Sequence, residues 1–246
     1  MSTVADHYAK HLGPVYAWMA GGVDAAIGRG AMELEAIGLP TAGSSGSDIA
    51  VDLGAGFGMH AIPLARRGYR VIAIDSCTAL LDELRGRTEG LSVDVVDGDL
   101  LQFHRHVSGK VHAIFCMGDT LTHLDSRDAV VRLAADAAAT LDSGGVFVTT
   151  FRDYSTALGA AQRFIPVRSD ADRILTCFLE YSDDSVTVHD ILHERAGSQW
   201  TMQVGSYRKL RLSPEWVVSC LESQGLAVQR EAGMGGMIRL IARKQD

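Results

Sequence analysis

Val51-Asp52-Leu53-Gly54-Ala55-Gly56-Phe57-Gly58 decides how the rest of this chain is read. A short apolar run, Ile49–Leu53, ends in glycines spaced as GxGxG, and a helical stretch follows over 58–67. Glycine at a strand-to-helix turn lets the backbone bend sharply and approach a ligand closely, which a Cβ would block. The dinucleotide fingerprint GxGxxG would need glycine at 59, where Met59 stands, and no Gly-Lys-Ser/Thr follows to make a phosphate loop. Asp52, just before the glycines, is a candidate acceptor for a ligand ammonium.

Outward from this loop, apolar runs at 69–74, 91–96, 111–117 and 145–151 alternate with helical stretches at 78–87 and 126–141. That rhythm predicts an α/β fold of βαβ units on a mainly parallel sheet. Upstream, Tyr8, Leu12, Val15, Tyr16 and Met19 recur at helical spacing within 5–27, with Gly21-Gly22 as an interruption. Residues 1–40 read as an N-terminal helical cap, 40–48 as a small-residue linker, and 49–246 as the main domain. Late in the chain, 173–181, 185–194 and 199–210 read as extended segments joined by Ser182-Asp183-Asp184 and Ala196-Gly197-Ser198 turns. They predict an antiparallel β insert spanning 165–211. Ser213-Pro214-Glu215 then starts a helix, with serine as N-cap and proline at the first helical position, and strands near 226–231 and 236–243 close the pattern.

Composition narrows the function. The 246 residues are 47% hydrophobic and 22% charged, enough apolar material for one domain with decorations. Net charge is -7, and the densest basic run is only Tyr207-Arg208-Lys209-Leu210-Arg211, against the basic footprint of a nucleic-acid partner. Cys77, Cys116, Cys177 and Cys220 are far apart and form no metal-ligand spacing, so buried free thiols are expected. No basic-then-apolar leader and no apolar run near the ~18 residues of a membrane span is visible. A soluble cytoplasmic protein without a membrane partner is expected, with the N-terminal helix as a candidate exchange arm of a homodimer.

Two further strings complete the ligand reading. In Val71-Ile72-Ala73-Ile74-Asp75, an acid at the end of the second strand lies beside the glycine loop in a doubly wound sheet. Such a carboxylate accepts the hydroxyls of a ribose, with Ser76 beside it, or else merely caps the next helix. In Val96-Asp97-Gly98-Asp99-Leu100, an acid after the third strand can accept from an adenine amino group while Leu100 covers the ring. In order and spacing over 49–151, the three strings resemble the class I S-adenosylmethionine (SAM)-dependent methyltransferases. The resemblance implies a Rossmann-like seven-stranded sheet whose last strand is antiparallel, and SAM as cofactor. It implies that Gly54, Ala55, Gly56 and Gly58 line the methionine part, Asp75 holds the ribose, and Asp99 and Leu100 hold the adenine. Tyr16, Asp52, Ser76, Gly98 and Met117 complete the expected cofactor contacts.

The segment Ile114-Phe115-Cys116-Met117-Gly118-Asp119-Thr120-Leu121-Thr122-His123-Leu124 lacks the Asn/Asp-Pro-Pro-Tyr of enzymes acting on nucleic-acid or protein amides. It is similar to the glycine/sarcosine N-methyltransferase group, where Gly-Asn-Ser, an apolar pair and His-Leu stand here, with Asp119 replacing that asparagine. Phe151-Arg152-Asp153-Tyr154 is similar to that group's Arg-Asn-Tyr-Asp, and the late insert to its substrate lid. The implied activity is in-line methyl transfer from SAM to a small-molecule acceptor, an amine nitrogen first, with O- or C-methylation or a non-catalytic SAM-binding role as alternatives. An NAD oxidoreductase is disfavoured by Met59. His123 is the candidate general base, since imidazole titrates near neutrality, or else a packing histidine. Arg152 and Tyr154 are candidates for holding an anionic group of the substrate, or Arg152 pairs with an acid at the surface. Tyr8, Asp119, Tyr181, His189 and Tyr207 are the other substrate candidates. Tyr8, Tyr16 and Trp18 either close over SAM or pack in the core. His189, Ile191 and His193 share one strand face that either covers the pocket or faces solvent. The two histidines lack a third ligand, and no metal is expected.

Overall fold

The computed structural model describes residues 3–43 and 48–245. Positions 44–47 of the predicted linker lie outside the described residues.

The glycine loop sits where the sequence places it, between β1 (Ile49–Leu53) and the next helix. That helix, however, spans only Ala61–Arg66, because Gly58 at φ +93° has a backbone no right-handed helix accepts. β2 (Arg70–Asp75), β3 (Val93–Asp97), β4 (Val111–Cys116) and β5 (Leu141–Phe151) follow. Together with β10 (Leu226–Ala232) and β11 (Ile238–Lys244) they form one seven-stranded sheet in the order β10-β11-β5-β4-β1-β2-β3. β1 pairs in parallel with both β2 and β4, whereas β11 runs antiparallel to both neighbours. The fold is thus Rossmann-like, and the antiparallel last strand is as expected.

Alternation along the strands builds a core on each face of this sheet. Ile114 and Cys116 of β4 join Phe147 and Leu133 on one face, while Ala113 and Phe115 join Ile62 and Leu81 on the other. Both faces are buried, which is why these strands read as continuous apolar runs.

The N-terminal cap is more segmented than one helix over 5–27. Val4–His7 (α1) continues through a wide π turn, Tyr8–Leu12, into α2 (Gly13–Met19). Gly21 and Gly22, at φ +84° and +95°, then break the chain before α3 (Val23–Ala36). The helices of the main domain are α4 (Ala61–Arg66), α5 (Thr78–Arg85), α6 (Arg127–Thr140) and α7 (Pro214–Glu222), the last capped by Ser213 as its sequence predicts.

The insert is a four-stranded antiparallel sheet of β6 (Phe164–Ser169), β7 (Arg173–Tyr181), β8 (Ser185–Ala196) and β9 (Gln199–Leu210). β6 escapes a pattern search because it is an exposed edge strand carrying Pro166 and a register shift. The inner face of this sheet packs Leu175, Leu179, Val188 and Leu192 against Leu12 and Val15 of the cap. A buried polar contact also joins them: His7 Nε2 lies 2.8 Å from Asp190 Oδ2, and Cys177 donates to the other carboxylate oxygen. The outer face exposes Ile174, Met202 and Val204. No helix among the described residues is long and apolar enough to cross a membrane.

α3 crosses the loop after β1 at Gly30, where an added Cβ would stand 1.9 Å from the Met59 carbonyl oxygen. A backbone atom cannot yield as a side chain can, so Gly30→Ala is expected to cost about 1–3 kcal/mol by overpacking. A lowered urea midpoint checks this; an unchanged one contradicts the close crossing.

Candidate functional site

A cavity of about 530 Å3 opens at the carboxyl ends of β1, β2, β3 and β4, where ligands bind in open α/β sheets. Its volume falls in the ~300–1,000 Å3 typical of small-molecule sites. The cap supplies the roof, with Val4, Tyr8 and Tyr16 facing the glycine loop.

The loop is shaped to bring backbone against a ligand. Gly54 and Gly56 have φ of +75° and +52°, and a Cβ on Gly54 would lie 2.6 Å from Thr120 Oγ1. Its amides are already committed. Gly54 and Ala55 N–H donate to the Ile74 carbonyl at 2.8 and 3.0 Å, Gly56 N–H to Asp75 Oδ2 at 2.8 Å, and Gly58 N–H to the Ala55 carbonyl at 2.9 Å. A diphosphate-binding turn keeps such donors free for the anion. This loop instead uses them to fix its own shape.

Asp75 is the pivot of that shape. It accepts from Gly56 N–H and, at 2.8 Å, from Cys77 N–H, and it faces the cavity. Burial pushes its carboxyl up, and the amide donors restrain the rise. α5 is capped by Cys77, so Asp75 is not that helix's N-cap. Ser76, Gly98, Asp99, Leu100 and Met117 line the same cavity, as do Ala55, Tyr8 and His123.

Two expected cofactor contacts are displaced. Asp52 lies beneath the loop, fully buried and away from the cavity; burial pushes its carboxyl up to about 6. Gly58 also faces away: its missing Cβ makes room for Leu84 and Ile62 on the α5 side. A residue not singled out from the sequence stands nearby. His60 lines the cavity while its Nε2 lies 2.8 Å from Glu33 Oε2 of α3, both side chains buried. Its position just past the glycines was the available signal.

The expected substrate residues divide in two. Asp119, Arg152 and Tyr154 come together, but with one another, behind the cavity wall. Asp119 sits at φ +78° and accepts from Arg152 N–H at 2.9 Å, Tyr154 Oη at 3.2 Å and Lys209 Nζ at 2.5 Å. Burial opposes its charge, but Lys209 above all holds its carboxyl well below the usual range. Lys209, itself buried on β9, is pushed up in turn by Asp119. Tyr207 faces inward behind His123 and Tyr8, with ring centroids 5.6 and 6.2 Å away. His189 is on the outer face, 3.1 Å from Glu180, and Tyr181 stacks under Arg211 at 5.5 Å. None of these six lines the cavity; on β8, Asp190 and Leu192 turn inward, which sends His189, Ile191 and His193 to the other face. Trp18 also leaves the site, donating to Asp170 of the insert.

His123 does line the cavity, wedged edge-on between Tyr8 and Tyr207. Burial first, then the Lys209 ammonium, pushes its pKa down to about 3. It is therefore a neutral imidazole at physiological pH, held so by burial and the neighbouring ammonium. Its contribution is shape and an uncharged polar wall.

Two consequences are measurable. Lys209→Met strands a buried Asp119 carboxylate and is expected to cost about 3–5 kcal/mol, with Asp119→Asn/Lys209→Met recovering part of the loss in denaturant titrations. A histidine neutral when folded takes up a proton on unfolding, so stability should fall as pH drops from about 6.5 towards 3. His123→Phe should flatten that slope, and an equal slope in the variant would refute the assignment.

The comparisons with known proteins agree with this geometry. Residues 50–145 match a family described as methyltransferase domain. Over 118 residues, 46% of this chain, the sequence is 29% identical to a glycine/sarcosine/dimethylglycine N-methyltransferase of Actinopolyspora halophila, 20% of which is covered. Over 106 residues it is 27% identical to a glycine/sarcosine N-methyltransferase of Halorhodospira halochloris, covering 42% of this chain and 40% of that one. The matches thus span less than half the length of either relative. A solved S-adenosylmethionine-dependent methyltransferase from Clostridium acetobutylicum ATCC 824 superposes with a TM-score of 0.74 at 17% identity, over 97% of this chain and 99% of that one. Residues 50–145 thus match the methyltransferase domain family, and the chain as a whole shares the fold of a SAM-dependent methyltransferase.

Proposed function

We propose that this protein transfers the methyl group of SAM to a small-molecule acceptor, with an amine nitrogen as the nucleophile. The observation that carries the reading is one cavity that joins a glycine turn, the Asp75 and Asp99 carboxylates and a tyrosine roof. The cavity fits the cofactor. Gly54 leaves free the space a Cβ would fill, Asp75 suits ribose hydroxyls, and Asp99 with Leu100 suits an adenine amino group and ring. When bound, SAM supplies a sulfonium-activated methyl group.

The chain's own residues bind, orient and exclude water. His60, fixed by Glu33, is a partner of suitable chemistry beside the loop for the methionine carboxylate, since the amides of Gly54, Ala55, Gly56 and Gly58 are already bonded within the protein. Tyr8 and Tyr16 line the cavity, where a ring face turned to a positive centre would be worth about 0.5–2 kcal/mol. Met117 and neutral His123 wall the reacting end without adding a charge. Catalysis of this kind rests on alignment of the reacting atoms more than on proton abstraction. The names of the sequence relatives support nitrogen as the acceptor atom. No observation favours the O- or C-methylation alternatives.

Calorimetric titration with SAM, S-adenosylhomocysteine and NAD tests the reading. Micromolar binding of both sulfur compounds, weakened at least about tenfold in Asp75→Ala by loss of a buried acceptor, is expected. Binding of NAD in place of SAM would overturn it.

A further inference from the structure

The acidic and histidine side chains that line the cavity are Asp75, Asp99, Asp125, His60 and His123. Among the described residues, no lysine or arginine lines it. Three cations beyond the lining are committed elsewhere: Lys209 and Arg152 both bond Asp119, and Arg208 pairs with Asp184. His60 is held by Glu33 at the glycine-loop end. Val4, Ala5, Leu101 and Leu124 add apolar wall, and Asp125, next to Leu124, lines the cavity while exposed to solvent. The Asp125 carboxylate makes no hydrogen bond or ion pair with the described residues; only its backbone oxygen accepts, from Arg208.

From this distribution we infer that the acceptor is an amine on an uncharged, largely apolar body, without a carboxylate, and that Asp125 receives it as an ammonium. The inference rests on the methyl-transfer reading above. A carboxylate in this cavity would lose its water without gaining a counter-ion, a cost that only a paired charge escapes. It would also enter against three acids, whose field favours a cation. Glycine and sarcosine, which name the sequence relatives, carry such a carboxylate, so the chain departs from them in what it selects.

The step balances without a further reactant. The amine arrives as ammonium beside Asp125 and releases one proton to water at the open mouth. Its lone pair forms the new N–C bond to the methyl carbon as the C–S bond breaks and its electron pair stays on sulfur. The product leaves as the methylated ammonium, whose positive charge replaces that of the sulfonium.

Release of S-adenosylhomocysteine, measured with the full chain, SAM and paired acceptors, tests the inference. 2-Phenylethylamine and phenylalanine differ only by a carboxylate, as do methylamine and glycine. Turnover of the carboxylate-free member of a pair is expected to exceed that of its partner by at least about tenfold, the cost of an unpaired buried charge. Asp125→Asn should raise KM for the amine about tenfold with kcat little changed, and leave SAM binding by calorimetry intact. Asp125→Lys should move the preference towards the carboxylate-bearing member. Equal or better turnover of glycine or phenylalanine, an unchanged KM in Asp125→Asn, or no turnover of any amine while SAM still binds would overturn it. Loss of SAM binding in the parent protein would instead remove the methyl-transfer reading itself.

Discussion

The buried pair of Asp119 and Lys209 ties the molecule together. Asp119 follows β4 of the large sheet, and Lys209 is near the end of β9 in the small one. Ninety residues apart, they meet at 2.5 Å with both side chains nearly inaccessible. Such a pair adds little net stability over a well-packed apolar substitute, but breaking it leaves a charge with no water. It acts as a registration device. Arg152 N–H and Tyr154 Oη converge on the same carboxylate, so the exit from β5 is set by the same contact. The segment from Met117 to His123, one wall of the cavity, can then take only one course.

The same contact explains why the site is electrostatically one-sided. Lys209 and Arg152, the cations bonded behind the cavity wall, are both absorbed by Asp119. What reaches the cavity is the consequence of that neutralisation: a histidine kept uncharged, tyrosine rings, and acids that face no lysine or arginine among the described residues. An unneutralised lysine there would repel a sulfonium. Burying it against an aspartate lets its stem fill space between Tyr154 and Tyr207 while its charge is cancelled locally.

What was legible in the sequence follows the range of the interaction. The glycine turn, Asp75, Asp99 and the strand rhythm are local patterns, and Gly54, Gly56, Ser76, Gly98, Leu100 and Met117 all reach the cavity. Asp52 and Gly58 belong to the same string but point away from it, because a turn of this kind alternates which groups face the ligand and which face the helix behind. The role of Lys209 depends on a partner far away in the chain, and in the sequence it was one residue of a basic run. His189 and His193 shared a strand face, but period-two alternation cannot say which face is inward; Asp190, bonded to His7, settles that. β6 was invisible because an edge strand with proline needs neither an apolar pattern nor a full ladder.

Thr3 belongs to the roof of the cavity, and the strand that fastens the roof is β8: His7 and Asp190 are 183 positions apart. Contacts this distant in sequence carry the entropy of closing a long loop. The floor, made of β1 to β4, can be complete while the chain is still without a roof. A ligand that touches both would therefore act as a mortar for this joint, binding only the finished state and raising its population by mass action. In such a molecule the closing of the fold and the first act of recognition share the same surface.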